Sequence, residues 1–208
     1  GFNRFENNTV IYTGAGIQSF GNDGVIKGNT FIGCGINAPG ARTEVTDNNI
    51  TGNVGITAGG TNVITGNTIN TTSDYAISLG KTKDNTVTDN YLISNGKKGD
   101  GAVNLGTGSG NQVHDNLPVD IILSVQNSTI WLGEENSVTV TIAGAGEVTI
   151  KLNGVVIATP TLTDGTVTQT IPASDIVLGE NIIEVTYRGL TNSTTFTAEE
   201  NAVEPTNI

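Results

Sequence analysis

The chain has 208 residues, of which 14% are charged and 5% aromatic, with no Met, one Cys and a formal net charge of −11. That length suits one large domain or two modest ones, and the missing basic excess excludes nucleic acid as a partner, since a phosphate backbone demands a cationic footprint. The single Cys34 excludes an intrachain disulfide, and no apolar run is long enough for this segment to insert in a membrane.

Gly, Asn and Thr dominate, a composition of strands and turns, and no window carries a sustained 3.6-residue period, so almost no helix is expected. The chain opens "GFNRFENN", without Met, without a signal peptide and already inside a repeat. The expectation is an excised or processed piece of something longer.

From residue 5 to 118 one pattern returns. Aligning on a recurrent Asn gives Asn8, Asn29, Asn48, Asn67, Asn90 and Asn116, spaced by 21, 19, 19, 23 and 26. Three residues before the last five of these stand Ile26, Val45, Ile64, Val87 and Val113. Two residues after the first five stand Val10, Phe31, Ile50, Ile69 and Leu92. Between successive Asn positions a second motif ("GIQS", "GINA", "GITA", "AISL", "AVNL") aligns Ile17, Ile36, Ile56, Ile77 and Val103, then Ser19, Ala38, Ala58, Leu79 and Leu105.

A fixed period near twenty with strand-only content predicts a solenoid, and without a Leu scaffold it predicts a parallel β-helix of about six coils. Like residues then stack at the strand spacing of roughly 4.8 Å. The Asn is expected to sit in the left-handed backbone of a sharp turn and to hydrogen-bond its own kind on neighbouring coils. Its recurrence is read as structural rather than catalytic.

After "HDNLPVD" the period stops and charge shifts. Residues 1–118 carry seven Lys/Arg against nine Asp/Glu; residues 119–208 carry two against eleven, a net of −9. Short alternating runs such as "SVTVTIAG", "EVTIKLNG" and "NIIEVTYRG", separated by "LNG", "TDG" and "LGEN", predict seven or eight antiparallel strands in an immunoglobulin-type sandwich. Ile183, Val185 and Tyr187 should share one face of a strand, and Trp131 is read as core or interdomain filler. The expected domains are therefore an all-β pair, a parallel β-helix over 1–118 and an Ig-like β-sandwich over 119–199, followed by a linker or tail over 200–208.

The 5–118 pattern resembles the right-handed parallel β-helix repeats of pectate-lyase-like proteins and many surface adhesins. "LGENIIEVTYRG" followed by "STTFTAEE" looks like the closing strands of Ig-like repeats in bacterial and archaeal surface proteins. Together the two parts resemble adhesin-like surface proteins of methanogenic archaea. That resemblance implies a right-handed coil and an extracellular, cell-surface location, with a glycan or protein of another cell as partner.

No outward column holds the two carboxylates that glycoside cleavage needs. Asp89 and Asp115, on adjacent coils, are the candidate pair for a cation such as Ca²⁺. The longer coils add candidate ligand-contact loops with Asp74 and Tyr75, then Lys97, Lys98 and Asp100. With no catalytic residue and no cofactor expected, three readings stand. The first is a non-enzymatic adhesin-like fragment, with the β-helix as display rod and the Ig-like module as spacer. The second is a carbohydrate-binding or polysaccharide-degrading module. The third is a filament or virus-tail component, with the chain either monomeric or self-associating end to end.

Overall fold

The computed structural model describes residues 3–201, with the backbone alone for 14 and 15. The chain divides into two compact units after Val119.

The first unit is a β-solenoid. One six-stranded sheet runs in the order Arg4–Glu6, Val25–Lys27, Glu44–Thr46, Val63–Thr65, Thr86–Thr88 and Gln112–His114. Every pairing is parallel and in register, so Phe5, Ile26, Val45, Ile64, Val87 and Val113 form one column. A second set, Thr9–Gln18, Thr30–Ala38, Asn49–Gly52, Thr68–Thr71 and Tyr91–Ser94, aligns Val10, Phe31, Ile50, Ile69 and Leu92. The long strands Thr9–Gln18 and Thr30–Ala38 continue into a third column of Ile17, Ile36, Ile56, Ile77 and Val103.

These columns are the core. Ile26, Phe31, Val45, Ile50, Ile64, Ile69, Ile77, Val87 and Leu92 are buried in one cluster, with Phe5, Val10, Ile17 and Val113 packed at its margins. β-Branched side chains suit this position because a pleated strand fixes χ1 at little further cost and stacks like on like. Their strand neighbours Thr46, Thr65 and Thr88 lie in the adjacent register column, half-buried. Truncating one stacked Ile would remove methylenes that the coils above and below cannot replace, a loss of about 2–5 kcal/mol.

The second unit pairs differently. Asn136–Ile142 lies between Ile121–Val125 and Thr166–Ile171 in a three-stranded antiparallel sheet. A five-stranded sheet runs Thr129–Trp131, Leu190–Glu199, Gly179–Tyr187, Thr149–Leu152, Val155–Ala158. Its outermost pair, Thr129–Trp131 with Leu190–Glu199, is parallel, against the expectation of antiparallel strands throughout. Val138, Val140, Ile142, Ile150, Leu152 and Phe196 are buried, as are Ile183, Val185 and Tyr187 along one face of their strand. The buried Tyr187 hydroxyl donates to Ala145 O at 2.9 Å, which satisfies its polar end.

Three expectations are corrected in detail. The left-handed residue is the one before each ladder Asn: Asn7, Gly28, Asp47, Gly66, Asp89 and Asp115 have φ between 56° and 68°. That position takes Gly, Asp or Asn because they alone enter this region cheaply, and it frees the following Asn to turn its amide inward. Leu105 leaves the column of Ser19, Ala38, Ala58 and Leu79, at 49% exposure, because the chain bends there into the turn at Gly106. Trp131 is not core: it stands on an outermost strand, 43% exposed. The tail over 200–208 lies outside the described residues from 202 onward. No helix among the described residues is long and apolar enough to cross a membrane; two short 3-10 turns, Gly99–Ala102 and Ala173–Asp175, are the helical elements assigned there.

Candidate functional site

The recurrent Asn residues form a continuous hydrogen-bonded stack. The main-chain N–H and side-chain Nδ2 of Asn48 both donate to Asn67 Oδ1, at 3.0 and 2.9 Å, and the same pair of bonds joins Asn8 to Asn29, Asn29 to Asn48, Asn67 to Asn90 and Asn90 to Asn116. Asn48 Nδ2 also reaches Ile26 O and Thr46 O, each at 2.9 Å. From Asn29 onward each of these residues is about 1% exposed or less. A buried primary amide is tolerated only when its donors and acceptor are met, and here every one is.

A second stack has no counterpart among the sequence expectations. Thr43 N donates to Asn62 Oδ1 at 2.8 Å, Asn62 N to Asn85 Oδ1 and Asn85 N to Asn111 Oδ1, each at 3.0 Å. Asn85 Nδ2 also donates to Asn111 Oδ1 at 3.0 Å. Asn62, Asn85 and Asn111 each stand two residues before an inward Ile64, Val87 or Val113, and that spacing was the available signal. The corresponding places one and two coils earlier hold Thr43 and Gly24, where the buried Thr43 Oγ1 and Ser19 Oγ find no hydrogen-bond partner.

The candidate ligand residues take diverse places. Asp100 closes the first stack: its Oδ1 accepts from Asn116 N at 3.1 Å and from Asn116 Nδ2 at 2.7 Å. Lys97 lies on the hairpin formed by Tyr91–Ser94 and Lys97–Lys98, whose turn residues Asn95 and Gly96 have φ of 43° and 79°. Its Nζ sits 4.5 Å from the centroid of Tyr75 and donates to Asp74 O at 2.8 Å. Lys97 thus occupies a face of the Tyr75 ring that a sugar would need. Lys98 follows it in the same short strand, exposed. Asp89 and Asp115 both hold left-handed turns, and Asp115 Oδ2 lies 2.7 Å from His114 Nδ1. No group of three or more His, Cys, Asp or Glu side chains with metal-site geometry occurs among the described residues.

On the turn before the second stack, exposed Arg42 meets Asp23 through Nε to Oδ1 at 2.6 Å and Nη2 to Oδ2 at 2.9 Å. Those hydrogen bonds, with the guanidinium charge adding to them, hold the Asp23 carboxyl below the usual aspartate range and push Arg42 further up.

In-register parallel coils carrying stacked Ile and Asn define the class of molecule as a parallel β-solenoid. The chain belongs to the family described as "Right handed beta helix region", whose model matches residues 1–155. The match runs past the last in-register coil strand, Gln112–His114, and into the second unit, whose strand Asn136–Ile142 shows the same Thr/Val/Ile alternation while pairing antiparallel. No curated protein and no solved structure matches the chain.

Proposed function

We propose that this chain is a non-enzymatic, adhesive fragment of an extracellular cell-surface protein, in which a right-handed β-helix of six coils acts as a display rod and an Ig-like second module as a spacer. One observation carries the reading. The side chains that recur from coil to coil are consumed inside, as apolar columns and amide stacks, while the register beside the third apolar column is a row of uncharged polar residues, Gln18, Asn37, Thr57, Ser78 and Asn104. Such a surface suits presentation over large areas better than a single reactive cleft. Stiffness follows from buried, fully bonded stacks in consecutive coils. A glycan or protein on another cell is the expected partner, and no cofactor is required.

The test is a glycan-array and whole-cell binding screen run beside turnover assays on a panel of polysaccharides. Binding without turnover supports the adhesive reading. Saturable cleavage of any polysaccharide replaces it with the polysaccharide-degrading one, which the β-helix family fits as well.

A further inference from the structure

The second unit holds a cavity of about 320 Å³ lined by Asn127, Thr129, Ile130, Trp131, Glu134 and Glu199. Its ring-bearing wall is the outermost strand Thr129–Trp131, which among the described residues pairs only with Leu190–Glu199. Trp131 and Glu199 are register partners in that parallel pair, so their side chains leave the same face of the sheet side by side. Glu134 returns to the same place by a tight turn through Gly133 (φ 99°). Its N–H donates to Trp131 O at 3.0 Å, and its Oε2 accepts from Trp131 N at 3.0 Å, leaving Oε1 for a ligand. Buried Asn136 fixes the far wall by donating to Asn127 O at 2.9 Å and accepting from Asn127 N at 3.2 Å.

We propose that this cavity binds an organic cation, a guanidinium or an alkylammonium, against the Trp131 indole and between the carboxylates of Glu134 and Glu199. An indole face attracts cations more strongly than any other aromatic side chain, and a carboxylate beside it adds a charge-assisted hydrogen bond. Exposed Glu135 and Glu200 follow the two carboxylates in sequence, in a segment with two Lys/Arg against eleven Asp/Glu, so the surrounding field favours the same sign of ligand. A hard divalent metal fits poorly, because it wants about six oxygens and an indole supplies none. A neutral sugar would use the ring but leave the carboxylate charge unanswered. The site stands apart from the adhesive reading, and a rod with no adhesive role would still show it.

Trp131 is the only Trp in the chain, so intrinsic fluorescence of the intact protein reports on this cavity. The probes are N-acetyl-arginine methylamide, N-acetyl-lysine methylamide, spermidine and methyl glucoside. A saturable change with at least one cation, weakened about tenfold or more by E134Q/E199Q in a folded protein, supports the site. E199Q alone, which leaves the Glu134 bond to Trp131 intact, gives the same reading at smaller effect should the double variant fail to fold. Saturation by the amino-acid amides alone points to a basic side chain on a partner protein, and saturation by spermidine alone to a free polyamine. A response that never saturates, that survives the Glu substitutions unchanged, or that only methyl glucoside produces overturns the proposal.

Discussion

The two units bury asparagine in opposite ways. In the solenoid Asn48 and Asn67 are bonded to residues about twenty positions away, each amide serving the coils on either side. In the second unit Asn181 serves its own loop, donating to Val177 O and Gly179 O at 2.7 and 3.1 Å and accepting from Val177 N at 3.0 Å. Asn153 ties that loop to the neighbouring turn by donating to Asn181 Oδ1 and accepting from Ile182 N. The same side chain is a cross-coil rivet in one unit and a loop clamp in the other. Periodicity, and not burial alone, therefore decides how far the loss of one amide is felt.

The sharpest break in that comparison is Asn67→Ala. It strands Asn48 N–H and the carbonyls of Val45 and Thr65 and removes one of the two donors to Asn90 Oδ1, which keeps the main-chain N–H of residue 67, and a loss on the order of 3–5 kcal/mol is expected in chemical denaturation. Hydrogen exchange should accelerate on the coils of Asn48 and Asn90 as well as its own. Asn181→Ala comes next, at about 2–3 kcal/mol, with faster exchange confined to 153 and 177–182. Should both variants spread their damage equally widely, the distinction between rivet and clamp fails.

A smaller effect sharpens the comparison from the other side. Thr43→Asn should extend the second stack by one coil, replacing a hydroxyl that has no partner with an amide, for a gain of up to about 1 kcal/mol in melting or denaturant midpoint. A net loss of stability would mean that this stack ends at Asn62 for want of room, since Gly24 already lies close to Thr43.

The smallest effect belongs to Asp23 and Arg42, both on the solvent. Asp23 titrates below an ordinary aspartate, so whatever the pair contributes is present above about pH 4 and is lost as pH falls through the lowered folded value. An NMR titration should return the Asp23 carboxyl toward its ordinary value in Arg42→Gln, with no resolvable change in stability.

The first stack was legible because its Asn follows a Gly, Asp or Asn in all six repetitions and precedes an inward apolar residue by two in the first five. What the sequence hid was which residue bears the turn: the amide's visibility drew the left-handed conformation onto Asn, one place too late. The second stack was masked because only Asn62, Asn85 and Asn111 carry it, while Thr43 and Gly24 interrupt the column. Asp100 was out of reach of any periodic reading, since it lies 16 residues before Asn116 in a loop without a counterpart in other coils. Trp131 misled because a large aromatic beside alternating strands reads as core, whereas an outermost strand leaves it half in water.

Every amide in the first stack points the same way, from Asn8 toward Asn116, so the row has a head and a tail like a line of small magnets. Its N–H end is met by the negative carboxylate of Asp100, the sign that an array of aligned dipoles calls for. A duplicated coil slipped anywhere into the middle would find matching faces above and below. Added beyond Asp100 it would meet an anion where a neutral amide belongs, so this solenoid lengthens from within and not from that end.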